Sequence, residues 1–169
     1  MFSRFVLAIC VVGLVCLSDN ACAQQGKQTA EGRLPNTHVY SAISGDHGDR
    51  TTFRDSSGRM QGTASRSRSR TTFRDKSGRS VGSAVSSGNR TTSRDASGKI
   101  IETSSTNSNR ATFRSSNGST LGTATQSRNQ TAFRDANGRS NGSATHNGNR
   151  TTFHDSSGRS TGSATSNAR

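Results

Sequence analysis

The chain has 169 residues, of which 26% are hydrophobic, and a formal net charge of +13. All three cysteines precede residue 23 and few apolar side chains follow it, which excludes a conventional core and a disulfide framework. The remaining options are a disordered chain or a thin, repetitive sheet stabilised largely by main-chain hydrogen bonds.

The first 23 residues have the pattern of a cleaved signal peptide. Arg4 gives a positive start, an apolar stretch runs from Phe5 to Leu17, and Ala21-Cys22-Ala23 matches a small-residue cleavage signal. The apolar stretch is shorter than a transmembrane helix. We therefore expect cleavage after Ala23 and a secreted mature chain without cysteine or transmembrane segment. It would be extracellular or on the cell surface, or periplasmic in a bacterium.

Residues 24–49 are predicted to be a flexible, partly disordered linker. Within it, Tyr40-Ser41-Ala42-Ile43 resembles the second strand of the repeat unit that follows. We expect this segment to cap the exposed edge of the repeat sheet. The polar cluster Asp46-His47-Gly48-Asp49 is typical of an exposed loop and predicts no metal site.

Residues 50–169 consist of six copies of one 20-residue unit. The unit reads Arg-Thr-Thr-Phe-Arg-Asp-x-Ser-Gly-Arg-x-x-Gly-Ser/Thr-Ala and then ends in five polar residues. A fixed period of this length marks a repeat architecture, in which each unit packs on its neighbours. The copies begin at Arg50, Arg70, Arg90, Arg110, Gln130 and Arg150.

Each unit is predicted to form a β-hairpin. In the first copy, Thr51–Arg54 is β-branched and aromatic, which favours a strand, and Arg59–Ala64 would return as the second strand. Between the two, Asp55 and Gly58 have the spacing of a type I turn that closes with a left-handed glycine in a G1 bulge. The turn residues predicted across the repeats are Asp55, Gly58, Asp75, Gly78, Asp95, Gly98, Gly118, Asp135, Gly138, Asp155 and Gly158.

The predicted hairpin places Asp55 opposite Arg59 and therefore Phe53 opposite Gln61. The fourth unit has Ser115 and Ser119 at the positions of this Asp and Arg. Joint loss of both residues favours an ion pair across the turn.

The third unit also departs from the consensus, because Ser93 replaces phenylalanine and isoleucines follow at positions 100 and 101. Val81 and Leu121 occupy the slot of Ile101 in other units. We expect the phenylalanine and this opposing slot to share one thin apolar face. The glycines in mid-strand, beginning with Gly62, are predicted to mark a bend or the close approach of another backbone.

The repeat fits two all-β arrangements with a thin core. In a solenoid, equivalent residues stack about 4.8 Å apart, which would form columns of like-charged arginines. In a meander, equivalent residues lie two strands apart, about twice that spacing, and the repulsion is weaker. We therefore predict a meander of six β-hairpins, flat or coiling, with a β-solenoid as the alternative.

The segment Phe53-Arg54-Asp55-Ser56-Ser57-Gly58-Arg59 resembles the tyrosine–aspartate repeat of secreted bacterial shell and toxin-carrier proteins. That motif reads aromatic-Asp-x-x-Gly-Arg, and here Arg54 separates the aromatic from the aspartate. The chain also resembles curlin-type secreted subunits, in which a signal peptide precedes a few Ser/Gly/Asn-rich strand-turn-strand units. Both resemblances imply an exported, non-catalytic, β-rich surface or matrix component.

The repeat argues against an enzyme, since an active site needs dissimilar residues and every unit offers the same few. The histidines do not recur at one repeat position, and no cysteine follows residue 22. We therefore expect no catalytic residue, no cofactor and no metal site.

The arginines are spread evenly along the repeats, which favours a solvated surface over a single basic block. The phenylalanines could stack on nucleic-acid bases, but we expect them to form the core instead. The candidate contacts to an acidic polymer recur once per unit, at Arg54, Arg74, Arg94, Arg114 and Arg134.

These features predict an exported, non-enzymatic repeat protein that acts as a structural, adhesive or extracellular-matrix component. Its partners would be further copies of itself, the cell surface or the matrix, with free sheet edges supporting assembly. The alternative is a soluble, basic, polyanion-binding factor or secreted effector. Such a factor would bind nucleic acid, lipopolysaccharide or acidic glycan in a salt-sensitive manner.

Overall fold

The computed structural model of the protein describes residues 50–167, which form twelve β-strands. The predicted signal peptide, linker and Tyr40–Ile43 strand lie outside the described residues. The strands are β1 Arg50–Asp55, β2 Met60–Ser67, β3 Arg70–Asp75, β4 Ser80–Ser87, β5 Arg90–Asp95, β6 Ile100–Asn107, β7 Arg110–Ser115, β8 Thr120–Ser127, β9 Gln130–Asp135, β10 Ser140–Asn147, β11 Arg150–His154 and β12 Ser160–Asn167.

Each repeat unit folds as one antiparallel hairpin, which confirms the predicted series of β-hairpins. Within a hairpin, the turn glycine has the positive φ that a G1 bulge requires, for example +79° at Gly58 and +80° at Gly138. Two-residue turns, such as Arg68-Ser69, connect one hairpin to the next. The turns within the hairpins, which contain the aspartates and the positive-φ glycines, lie at one end of the molecule. We call this end the Asp-turn end.

The hairpins close into a single twelve-stranded barrel, because β12 pairs with β1. The predicted open meander is therefore wrong, and so is the alternative β-solenoid. The physical reason is that an open sheet of this kind leaves two unpaired edges and an apolar face in water, and closure removes all three. The edge of β1 for which a capping segment was predicted is occupied by β12.

The phenylalanines point into the barrel and form its core. On every odd strand except β5 they alternate with small inward residues, as Phe53 does with Thr51, and both are 2% exposed. Alanines from the even strands complete the packing, and Ala64 is directly opposite Phe73 on the next hairpin. The buried core consists of Phe53, Ala64, Phe73, Ala84, Ala111, Phe113, Ala124, Phe133, Ala144, Phe153 and Ala164.

A β-bulge near the Asp-turn end shifts the register of every hairpin by one residue. In the first hairpin the shift falls between Phe53 and Arg54, so Phe53 is opposite Gly62 and not Gln61. The predicted pairing missed this extra residue. Since glycine has no side chain, the interior next to each phenylalanine has room for the ring.

Mid-strand glycines also allow the predicted close approach of a neighbouring backbone. A Cβ built on Gly142 would lie 2.3 Å from the carbonyl oxygen of His154, and one on Gly162 would lie 2.4 Å from that of Arg54. Gly142 also has a φ of +127°. No other residue type fits at Gly142 without movement of the main chain.

In the third unit a serine and a glutamate replace the phenylalanine and the glycine of the other units, and the interior of the barrel stays filled. Ser93 stands where the other units have phenylalanine, and Glu102, directly opposite, stands where they have glycine. Both side chains are buried, at 1% and 2% exposure. The residue opposite Ser93 is therefore Glu102, and not Ile101 as the sequence predicted.

Glu102 also explains why the fourth unit has no aspartate. At four of the other junctions between hairpins, a glycine lies opposite the turn aspartate of the next unit, as Gly62 does with Asp75. At this junction Glu102 lies opposite Ser115. An aspartate at 115 would set two carboxylates about 5 Å apart at Cβ, which is destabilising. Repulsion between two carboxylates therefore explains why position 115 is serine and not aspartate.

We expect Gly142→Ala to destabilise the barrel more than Gly138→Ala. Gly138 has a positive φ but open space around its Cβ position, so alanine there should cost only strain, about 1 kcal/mol. At Gly142 the same strain is joined by overlap with a backbone oxygen, for about 2–4 kcal/mol in total. Urea unfolding measures both. Equal costs would contradict the close approach.

We expect Ser93→Phe and Glu102→Gly each to destabilise the protein, the first by about 1–3 kcal/mol through overpacking. The double variant restores the consensus pair and should cost less than the sum, with a coupling of about 1 kcal/mol or more. Gly82→Glu is the matched control. It places a glutamate at the equivalent position of the second unit, opposite Asp95, where no second substitution removes the repulsion between the two carboxylates. Strict additivity in urea unfolding would contradict the volume exchange.

Candidate polyanion-binding surface

The outer wall of the barrel carries arginines on its odd strands and neutral hydroxyl side chains on its even strands. Because Thr51 and Phe53 face inward, Arg50, Thr52 and Arg54 face outward on β1. On β2 the outward set consists of Thr63, which is 7% exposed, and the exposed Ser65 and Ser67. The same alternation repeats around the barrel.

The arginines are concentrated on one side of the wall. Four odd strands, β1, β3, β5 and β7, carry two outward arginines each. On β9 and β11 one of the two positions is Gln130 or His154 instead. We call the eight residues on the four richer strands the basic arc: Arg50, Arg54, Arg70, Arg74, Arg90, Arg94, Arg110 and Arg114.

Two spacings define the basic arc. Arginines on the same strand are four residues apart, about 13 Å, and neighbouring arginine strands are about 10 Å apart. Strands β1 to β8 are consecutive in the sheet, so the arc is continuous over its width. A flexible chain with closely spaced anionic groups can contact several of these arginines at once.

Hydrogen bonds to the protein orient many of these guanidinium groups. Arg54 donates from Nη1 to the carbonyl oxygen of Gly58 at 2.8 Å, and Arg74, Arg94, Arg114 and Arg134 make the same bond in their own turns. Arg70 donates instead to Ser83 Oγ at 3.2 Å. Since a guanidinium has five N–H donors, further donors remain available for an external anion.

All five arginines predicted to contact polyanions therefore lie on the outer wall near the Asp-turn end. The structure adds a second row, at the opposite end of the same strands, that includes Arg50 and Arg70. Sequence reasoning did not select this row. The signal was present, since residues four apart on a strand face the same side.

Carboxylates do not interrupt the outer wall anywhere in residues 50–167. The acidic residues there are Glu102, inside the barrel, and five turn aspartates. In the first turn, Asp55 Oδ1 accepts the backbone N–H groups of Ser57 and Arg59, both at 2.9 Å. The direct hydrogen bond across the turn thus comes from the main chain of Arg59, and the guanidinium of the predicted ion pair contributes only a weaker coulombic attraction.

In three of the turns these hydrogen bonds favour the ionised form of the aspartate. The backbone N–H of Arg59 is the main cause of a lowered pKa at Asp55. The hydroxyl groups of Ser97 and Ser157 do the same for the pKa of Asp95 and Asp155. The aspartates therefore act as turn-forming residues, consistent with their lack of contact with the arginines of the wall.

Base stacking is not available to the phenylalanines of the repeats. Phe53, Phe73, Phe113 and Phe133 are at most 2% exposed, and Phe153 is 8% exposed. This burial confirms that they form the core. Any contact to a nucleic acid would therefore involve its phosphates and not its bases.

Residues 50–167 contain neither a metal-ligand cluster nor a helix that could cross a membrane. No group of three or more His, Cys, Asp or Glu side chains there is arranged to hold a metal ion. The same residues include no helix of the length and apolarity needed to cross a membrane.

Comparisons with known proteins bear on the fold alone. No family model matches the chain, and no curated protein matches it. Among solved structures, the chain is similar to an X-ray structure of a protein from Arabidopsis thaliana, with a TM-score of 0.51 and 10% sequence identity. The similarity covers 72% of this chain and 83% of that one.

We expect stability to fall as the pH drops below about 4. A carboxyl group with a lowered pKa in the folded state stabilises the fold above its unfolded pKa, and this stabilisation is lost as the pH falls through the folded value. The urea midpoint should thus be level from about pH 7 to 5 and decrease toward pH 3.

Two variants of the last turn identify the groups responsible. Asp155→Asn retains an oxygen acceptor for the backbone N–H groups and should reduce the decrease in stability toward acid pH. Arg159→Gln should change the pH profile less, because the 2.9 Å bond to Asp155 comes from its backbone N–H and its guanidinium contributes only a weaker coulombic lowering of the Asp155 pKa. If both variants reduced the loss of stability at acid pH equally, the Arg159 guanidinium would be the principal partner of Asp155.

Proposed function

We propose that this protein is an exported, non-enzymatic barrel that binds densely charged anionic polymers along its outer wall. The classes of ligand are nucleic acid, lipopolysaccharide and acidic glycan. The observation that carries the proposal is the basic arc, whose eight outward arginines share the wall with no carboxylate in residues 50–167.

The chemistry of the arginine side chain supports this function. A guanidinium is always charged and its planar N–H pairs match the oxygens of phosphate, sulfate and carboxylate. Because the bonds to Gly58 and Ser83 already hold Arg54 and Arg70 in place, less side-chain freedom is lost on binding.

The repetition of the arginines also supports a polymeric ligand. Each arginine that contacts the polymer raises the effective concentration of the next contact, so weak single contacts sum to useful affinity. With the phenylalanines buried, recognition would depend on charge density and spacing and not on base or sugar identity.

An adhesive or matrix role is the second proposal, and it uses the same surface. Arg134 and Arg150 extend the positive charge to the side of the barrel away from the basic arc. A barrel with arginines on several sides can link two acidic polymers. Adhesion by this route does not require free sheet edges, which the closed barrel lacks.

We expect the full chain to bind duplex DNA and heparin, with an affinity that falls steeply as salt rises. For DNA, the slope of log K against log salt is about 0.9 per phosphate contact. Substituting Arg50, Arg70, Arg90 and Arg110 with glutamine should reduce this slope by about 2–4 and weaken binding at least tenfold.

The matched control substitutes Arg59, Arg79, Lys99 and Arg139 with glutamine. It removes the same charge from exposed turn tips beside the aspartates, so we expect a clearly smaller change in slope. Circular dichroism would verify that both variants fold. Equal effects of the two sets would show that only net charge matters, and absence of binding at about 50 mM salt would exclude polyanion binding.

A further inference from the structure

The seam between β12 and β1 repeats the chemistry of the internal junctions between hairpins. At the seam and at the β2–β3 junction alike, glycine is opposite aspartate, alanine is opposite phenylalanine, and the last residue of the even strand is opposite arginine. The seam pairs are Gly162↔Asp55, Ala164↔Phe53 and Asn167↔Arg50, and the internal pairs are Gly62↔Asp75, Ala64↔Phe73 and Ser67↔Arg70.

Side-chain hydrogen bonds at the seam also have an internal counterpart. Thr51 Oγ1 and Ser166 Oγ are 3.2 Å apart across the seam. At the β4–β5 junction, Ser86 Oγ and Thr91 Oγ1 are 3.0 Å apart in the same positions. The seam therefore pairs β12 with β1 through the same kinds of contact that join two neighbouring hairpins.

The clearest difference between the seam and the internal junctions is its connection. Each internal junction is held by a two-residue turn, such as Arg68-Ser69, which keeps its strands together at high effective concentration. Thr51 and Ser166 are 115 residues apart in the chain. Closure over this separation loses more chain entropy than closure of a short turn, so the barrel is expected to open first at the seam.

We propose that the seam is an interface for a second copy of this chain. An opened barrel exposes the edges of β1 and β12, and each edge is complementary in register to the opposite edge of another opened copy. Reciprocal pairing of two chains satisfies both seams, in the manner of domain swapping. Since each chain carries a charge of +13, screening by salt or by a bound polyanion favours the exchange.

Mixed cysteine variants of the full chain test the exchange. In a background with Cys10, Cys16 and Cys22 replaced by serine, one chain carries Thr51→Cys and the other carries Ser166→Cys. After incubation of the mixture at high protein concentration in a glutathione buffer, we expect a disulfide-linked heterodimer on non-reducing gels. Its yield should rise between about 0.05 and 0.5 M salt, as the Debye length shortens.

The internal β2–β3 junction provides the matched control. Arg66 and Thr71 are the register equivalents of Ser166 and Thr51, so we expect a mixture of Arg66→Cys and Thr71→Cys chains to yield at least tenfold less heterodimer. Equal yields from the two mixtures would overturn the proposal, because exchange would then not be specific to the seam.

A single chain with both Thr51→Cys and Ser166→Cys tests the geometry. We expect it to form an intrachain disulfide, since the two residues are direct cross-strand partners, and to be blocked from exchange. An intrachain bond in this chain together with no heterodimer in the mixture would overturn the proposal. Failure of the intrachain bond would also overturn it, because the seam register would then be wrong.

Discussion

Pairing of β12 with β1 turns a sheet with one apolar face into a barrel with an interior. The phenylalanines and alanines of the repeats would face water on an open sheet, and no second layer exists in residues 50–167 to cover them. Closure buries them against each other and satisfies the main chain of both edge strands. The outer wall follows from the same contact, because closure fixes which side of every strand faces solvent.

The barrel accommodates one connected set of substitutions in the third and fourth units. Phenylalanine with glycine becomes Ser93 with Glu102, and the carboxylate lost at Ser115 lies across the junction on Glu102. These substitutions fall in two different repeats and appear unrelated in the linear sequence. They are adjacent on β5, β6 and β7, so together they form one local change in packing.

The separation of charge is a consequence of the hairpin geometry. Within residues 50–167, the aspartates lie at turns, where backbone N–H groups hold their carboxylates, while the arginines of the outer wall lie on the strands with a serine, threonine or main-chain oxygen as acceptor. Positive charge on the wall is therefore not neutralised by direct ion pairs with these aspartates. A partner with closely spaced anions would supply the compensating negative charge, which is the physical basis of the proposed function.

The 20-residue period, the strand composition and the Asp-x-x-Gly spacing by themselves determined the hairpins, their turns and the role of phenylalanine as core. These are local properties of about ten residues each. Closure, the one-residue bulge that sets Phe53 opposite Gly62, and the link between Glu102 and Ser115 were decided only by the tertiary structure. The reason is that each of these features depends on contacts with a neighbouring strand. Similar units encode the same interface between neighbours, but twist and curvature of the whole sheet decide after how many strands the last strand meets the first.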